Sequence, residues 1–174
     1  MTQSPNFNHY TLEDKITLVS KDQEQFIVKK DVAMSSVLIQ TMLDCDEENQ
    51  ELEIPLLNVS SKALIKVLEF CQYHDENGPM KEIEKPLTDT DLKKVVSEWD
   101  GIFIQSFEQE DLFEIILAAN YMDIKPLLDL SCAQVATQIK GKTPEEIRQT
   151  FNIENDFTPE EEEQIREENK WCTD

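Results

Sequence analysis

One helix-start signal occurs twice near the end of this chain, and it constrains the fold more than any other feature. Thr143-Pro144-Glu145-Glu146 and Thr158-Pro159-Glu160-Glu161 each place a hydroxyl at the N-cap, proline at the first helical position and glutamate three residues after the cap. This is a capping box with proline where its missing N–H is not needed. Two short helices are therefore predicted to start at these points. The apolar residues behind the caps are Ile147, Phe151, Ile153, Phe157, Ile165 and Trp171. They are too few for a core of their own, so the pair reads as an acidic, well-capped clasp for a partner.

The chain has 174 residues, room for one domain with an appendage. Its net charge of −21 excludes a phosphate backbone as partner and fits either plain solubility or a partner with a basic surface. Cys45, Cys71, Cys132 and Cys172 form no CxxC pair. Cys71 and Cys132 fall in apolar helical patterns and are expected to be buried thiols. Cys71 and His74 have ligand-like spacing, but Cys45 and His9 lie on unrelated segments, so no metal site is expected. Met1 to Asp14 has neither a basic head nor an apolar run, and no segment reaches the ~20 apolar residues of a membrane helix. Neither a leader nor a membrane association is expected, and the expected compartments are cytoplasm and nucleus.

Residues 1–14 read as a mobile tail. Lys15 to Ser20 has a strand pattern with Ile16 and Leu18 on one face, and Gln25 to Val28 pairs back across a turn at Lys21 to Glu24. Asp31 to Leu43 has mostly helical spacing, with Ser35 or Ser36 placed to cap a second helix within it. Asp44 to Glu51 reads as an acidic loop, and Leu52 to Leu56 as a third strand that Pro55 confines to an edge or an end. Ser60 or Ser61 opens a helix with Leu64, Val67, Leu68 and Cys71 on one stripe. Residues 77–98 are charged and contain two prolines, which predicts a long surface loop with one helical turn near Asp91 to Val96.

Order resumes at Trp99. Asp111-Leu-Phe-Glu114 reads as a third capping box, opening a helix to Met122 that is apolar almost all round and therefore central. Asn120 and Tyr121 are its polar end. The next helix runs to Lys140, with Gly141 as a left-handed stop. Leu128, Cys132, Val135 and Ile139 lie on one face, and Leu127, Leu130 and Ala133 on another. Two apolar faces require two layers, one of them unaccounted for. The whole is an α+β chain: a small sheet with helices, then a helical extension.

No catalytic constellation is present. There are two histidines and three glycines, and neither GxSxG, a phosphate loop nor HExxH occurs. Glu160 to Glu163 fan around a helix axis rather than converge, so they read as a solvated face; Glu162 and Arg166 are spaced as an i,i+4 pair. Trp171 stands out, because so late in a chain little core is left to bury an indole.

The runs LFEIILAANYMDIKPLLDLSC (112–132), KGKTPEEIRQTFNIENDFTPEEEE (140–163) and REENKWC (166–172) closely resemble the SKP-one adaptor family of SCF (SKP–cullin–F-box) ubiquitin ligases. ITLVSKDQEQFIV, DVAMSSVLIQTML and IPLLNVSSKALIKVLEF fit its earlier elements, and Leu57 stands where the family usually has proline. The resemblance implies a BTB/POZ domain over 15–125, with 77–98 as its charged loop, and an F-box-binding extension over 126–174. It implies a non-catalytic adaptor without cofactors, joining a cullin to F-box proteins. Asn120 and Tyr121 match cullin-facing positions. Leu128, Cys132, Val135, Ile139, Ile147, Phe151, Ile153, Phe157 and Trp171 fall in the F-box-clasping region. The F-box itself is then the missing second layer.

Without that layer, the free chain is expected to pair with itself. In some family members the proline matching Pro159, in the same Phe-Thr-Pro-Glu setting, is hydroxylated and glycosylated, which makes Pro159 a candidate modification site; the simpler alternative is that it only starts a helix, as Pro144 does. Two rival functions are an enzyme, which lacks a convergent polar set, and a POZ-type self-associating scaffold in a transcription or kinetochore complex.

Overall fold

A computed structural model describes residues 15–45, 53–87 and 89–170. The expected tail, most of the expected acidic loop, and Trp171 lie outside them. Strands β1 (Lys15–Ser20) and β2 (Gln25–Lys29) form the antiparallel hairpin, with Ile16 opposite Val28 and Leu18 opposite Phe26. β3 (Glu53–Leu56) lies parallel to β1, giving the order β2-β1-β3. A parallel pair needs a crossover, and the predicted helical stretch supplies it as two pieces, α1 (Lys30–Ala33) and α2 (Val37–Cys45). Ser36 is the break: its Oγ accepts from Ile39 N–H at 3.2 Å. Pro55 faces outward on the edge strand β3, between buried Ile54 and Leu56.

Helix α3 (Ser61–Asn77) is capped by Ser60 and stopped by Gly78 at φ 92°. Ala63, Leu64, Val67, Phe70 and Cys71 are buried in it. The segment that follows departs from the predicted surface loop. Ile83, Leu92 and Val95 are buried, α4 (Leu92–Val95) supplies the predicted turn, and α5 (Glu98–Gln105) follows a Ser97 cap. Charge counting obscured this because three apolar residues suffice to pin a segment whose other side chains face water. Aromatic rings finish the packing: Trp99 stacks on Tyr73 at 3.7 Å and on Phe103 at 4.9 Å between centroids.

Helix α6 (Gln109–Tyr121) begins after Glu108, before the predicted start. Asp111 is no cap; its carboxylate takes an ion pair from Lys62 of α3. The expected central helix is covered on one side only. Leu112, Ile115, Ala118 and Ala119 are buried, but Phe113 is 41% and Leu117 66% exposed. Helix α7 (Lys125–Ile139) buries Leu127, Leu130 and Ala133, as its inner face predicts, and Gly141 takes φ 77° beyond it. Cys132 is exposed rather than buried, because it lies on the opposite side of α7.

The chain divides into two compact units, Met1–Thr137 and Gln138–Asp174. The first holds the sheet, α1 to α6, nearly all of α7 and the whole buried core. In the second, α8 (Pro144–Phe151) and α9 (Pro159–Glu168) open on Thr143 and Thr158, and both capping boxes form in full. None of the residues in α8 or α9 is fully buried. Glu162 pairs with Arg148 at 3.3 Å, and Arg166 reaches Glu163, so the spaced pair Glu162–Arg166 is replaced by a link between two helices.

Gly101 lets α5 approach α4. A Cβ there would stand 2.7 Å from Lys93 N and 2.8 Å from its Cα, both backbone atoms that cannot swing away. Helix propensity favours alanine by about 1 kcal/mol, but overpacking costs on the order of 1–3 kcal/mol, occasionally more. Gly101→Ala is expected to lower Tm; a Tm at or above that of the parent chain in thermal unfolding would refute this packing.

Candidate functional site

Three sets of apolar side chains remain exposed or half-buried, two in the first unit and one in the second. The first lies on α6. Phe113, Leu117, Asn120 and Tyr121 are spaced by four, three and one residues, which puts them on one side of the helix. Phe113, Leu117 and Asn120 are exposed and Tyr121 is half-buried. The polar end singled out in the sequence is thus the end of a longer stripe. Sequence reasoning missed Phe113 and Leu117, since on a helix with so many apolar residues periodicity cannot separate core from surface.

The end of this stripe is fixed by a junction between distant parts of the chain. Ser36 Oγ donates to the carbonyl of Met122 while it caps α2. Val37 N–H and Leu38 N–H point at the carbonyls of Asp123 and Met122, each at 3.4 Å. The positive start of α2 therefore faces the negative end of α6. Asp123 turns the chain at φ 51°, and Asn120 and Tyr121 stand just before it.

The second set lies on the outer side of α7, and the third lies in the second unit. On α7, Leu128 and Val135 are half-buried and Cys132 is exposed, one stripe at i, i+4 and i+7. Cys132 also lines a groove of about 240 Å³ with Ile83, Leu87, Ala133 and Ala136. Ile139, the next residue of the stripe, falls in the second unit and is 38% exposed. There Ile147 and Phe151 lie four apart on α8, half-buried. Ile153 is 54% and Phe157 46% exposed. Arg148 covers one side of the Phe157 ring at 5.8 Å while holding Glu162. Trp171 lies outside the described residues.

Pro159 is exposed at the first position of α9, as Pro144 is in α8. Its neighbourhood is acidic and well anchored. Glu161 accepts from Thr158 N–H at 2.8 Å, and that bond holds its carboxyl below the ordinary glutamate range.

The polar groups that could suggest chemistry are engaged elsewhere. Burial pushes the Cys71 thiol up to about 12, so it is neither a thiolate nucleophile nor a ready metal ligand. His74 lies 2.9 Å from both the Gly78 carbonyl and Asp100 Oδ1, tying the end of α3 to α5. Among the described residues no three His, Cys, Asp or Glu side chains are grouped to hold a metal. No helix among them is long and apolar enough to cross a membrane.

Residues 14–76 match the tetramerisation domain of the Skp1 family, and residues 125–172 match its dimerisation domain. The S-phase kinase-associated protein 1 homolog of Tetrahymena thermophila is 54% identical over 158 residues, covering 91% of this chain and 93% of that protein. Suppressor of kinetochore protein 1 of Schizosaccharomyces pombe is 53% identical over 162 residues, 92% of this chain and 98% of its own. The SCF ubiquitin ligase complex protein SKP1b of Dictyostelium discoideum is 49% identical over 163 residues, 91% and 96% of the two chains. With both domains matched and half the residues identical across nearly the full length, this chain belongs to the Skp1 family.

Proposed function

We propose that the chain is a non-catalytic adaptor of an SCF ubiquitin ligase, linking a cullin to F-box substrate receptors. The observation that carries this is the presence of two apolar surfaces built by different means. One is a stripe on α6, rigidly backed by the core of the first unit. The other is a set of apolar side chains on capped helices with no core of their own. Relatives named as SCF complex subunits support the assignment. The α6 stripe, with Asn120 and Tyr121 at its end, is assigned to the cullin. Leu128, Cys132, Val135, Ile139, Ile147, Phe151, Ile153, Phe157 and Trp171 are assigned to the F-box. The adaptor acts by geometry: holding receptor and scaffold together keeps the receptor's substrate near the transfer machinery and raises its effective concentration there.

The name of the Schizosaccharomyces pombe relative keeps a kinetochore role as the second reading. Affinity purification from cells separates the two. A cullin with several F-box chains supports the first, and kinetochore proteins without a cullin support the second.

Asn120→Lys with Tyr121→Lys places two charges at the end of the α6 stripe. Unpaired interface charges cost about 2–5 kcal/mol. The double variant is expected to lose cullin co-purification while keeping F-box binding, and undiminished cullin recovery would refute the assignment.

Removing residues 143–174 takes away α8 and α9 but none of the buried core. The shortened chain is expected to unfold cooperatively, retain cullin and lose F-box receptors. Retention of a receptor, or an unfolded product, would count against the division of labour.

The uncovered F-box surface also gives the free chain a reason to pair with a second copy. Sedimentation is expected to show a concentration-dependent dimer that an F-box segment dissociates. A species that stays monomeric through the micromolar range would remove this proposal.

A further inference from the structure

Cover in the second unit is concentrated at one point. Among residues 140–170 only Ile147, Arg148, Thr150, Phe151 and Glu162 are half-buried, and the others are exposed. Glu162 is therefore the single residue of α9 with partial cover. Arg148 and Glu162 pair, with Arg148 Nη1 3.3 Å from Glu162 Oε1. Their side chains are 22% and 32% exposed, whereas those of the Arg166–Glu163 pair in the same unit are 65% and 64% exposed. Well-exposed ion pairs contribute little, so the two pairs are not equivalent.

One carboxylate oxygen gathers the connection between α8 and α9. Glu162 Oε1 accepts from Arg148 and, at 2.8 Å, from Asn155 Nδ2. Asn155 Oδ1 in turn accepts from Phe157 N–H at 3.3 Å. Arg148 also acts through its main chain: its carbonyl accepts from Ile153 N–H at 2.8 Å, just after Asn152 ends α8 at φ 52°. The guanidinium carbon stands over the Phe157 ring, 5.8 Å from its centre, within reach of a cation–π contact. A planar guanidinium can meet a ring and a carboxylate together, which a compact ammonium does less well. Phe157 is thus held at both its N–H and its ring, yet remains 46% exposed.

We propose that Arg148 is a positioning residue for the receptor-binding surface. Acting through Glu162 and Asn155, it fixes where Phe157 stands between two helices that have no core to fix it. The uncovered part of the ring is left for an apolar side chain of the F-box. The inference rests on the assignment of Phe157 to the F-box. Each capping box closes within its own helix, Thr143 with Glu146 and Thr158 with Glu161, so the caps do not set the two helices relative to each other. That placement needs a side-chain link, and the bond from Arg148 to Glu162 supplies one. Without it two formed helices no longer present Phe157 in one place, and a partner meets the cost of ordering them.

The test uses the full chain and, as probe, the recombinant F-box domain of a receptor purified with it from cells. Arg148→Met, which keeps the apolar stem and removes the charge, is expected to weaken binding about tenfold. Glu162→Gln is expected to weaken it less, because an amide oxygen still accepts. The double variant is expected to bind no more weakly than Arg148→Met alone, since both substitutions remove one link. Carbon-13 secondary shifts of α8 and α9 are expected to stay helical while the Phe157 ring resonances move, and cullin recovery is expected to stay at the parent level. If methionine melts α8, Glu162→Gln decides by the same readings. A parent chain that binds no F-box domain would overturn the adaptor assignment and this inference with it. With parent binding intact, three results would overturn this inference alone: unchanged or tighter binding by Arg148→Met, additive losses in the double variant, or losses that follow the disappearance of helical shifts in both single variants.

Discussion

The junction at Ser36 is the constraint on which the first unit depends. One hydroxyl joins residues 86 positions apart, donating to Met122 O while accepting from Ile39 N–H. It is fully buried, and a buried hydroxyl without partners costs on the order of 1–3 kcal/mol. The junction fixes three things together. It sets where α1 ends and α2 begins, and hence how the chain crosses from β2 to β3. It holds the end of α6 against the start of α2. It thereby decides which side of α6 meets the core and which side is left as a stripe of Phe113, Leu117, Asn120 and Tyr121.

Local signals in the sequence translated directly into local structure. The capping boxes at Thr143 and Thr158, the Ser60 cap, the hairpin and the stop at Gly141 are set by short-range bonds between residues a few positions apart. The misreadings share the opposite character. Asp111 has the spacing of a cap, but Lys62, distant in sequence, takes its carboxylate. Cys132 repeats with helical period, but only the placement of the neighbouring elements decides that it faces a groove. The 77–98 segment looks solvated until Ile83, Leu92 and Val95 find cover. The α6 stripe was half legible: Asn120 and Tyr121 marked its end, while Phe113 and Leu117 were indistinguishable from core.

The second unit shows how far capping alone can carry a helix. Helices this short are marginal in water, and α8 and α9 bury no residue completely. Thr143 with Glu146 and Thr158 with Glu161 satisfy the first amides of each, and the two prolines start the turns without needing a donor. Arg148 then holds Glu162 and covers the Phe157 ring. These contacts order the backbone but leave Ile139, Ile153, Phe157 and Ile165 in water. Such helices are prepared to gain their hydrophobic stabilisation from a partner rather than from their own chain. Because the ordering is already done, a partner would meet a smaller entropic cost than it would on a disordered segment.

Charge sorts the surfaces that apolar character alone would leave promiscuous. In a chain of −21 an exposed isoleucine or phenylalanine attracts any apolar segment at close range, but at longer range acidic ones are turned away. The first turns of α8 and α9 carry Glu145, Glu146, Glu160, Glu161 and Glu162, so these helices favour a neutral or basic partner over an acidic one. Selectivity of this kind follows from where the glutamates lie, not from how much apolar area the helices expose.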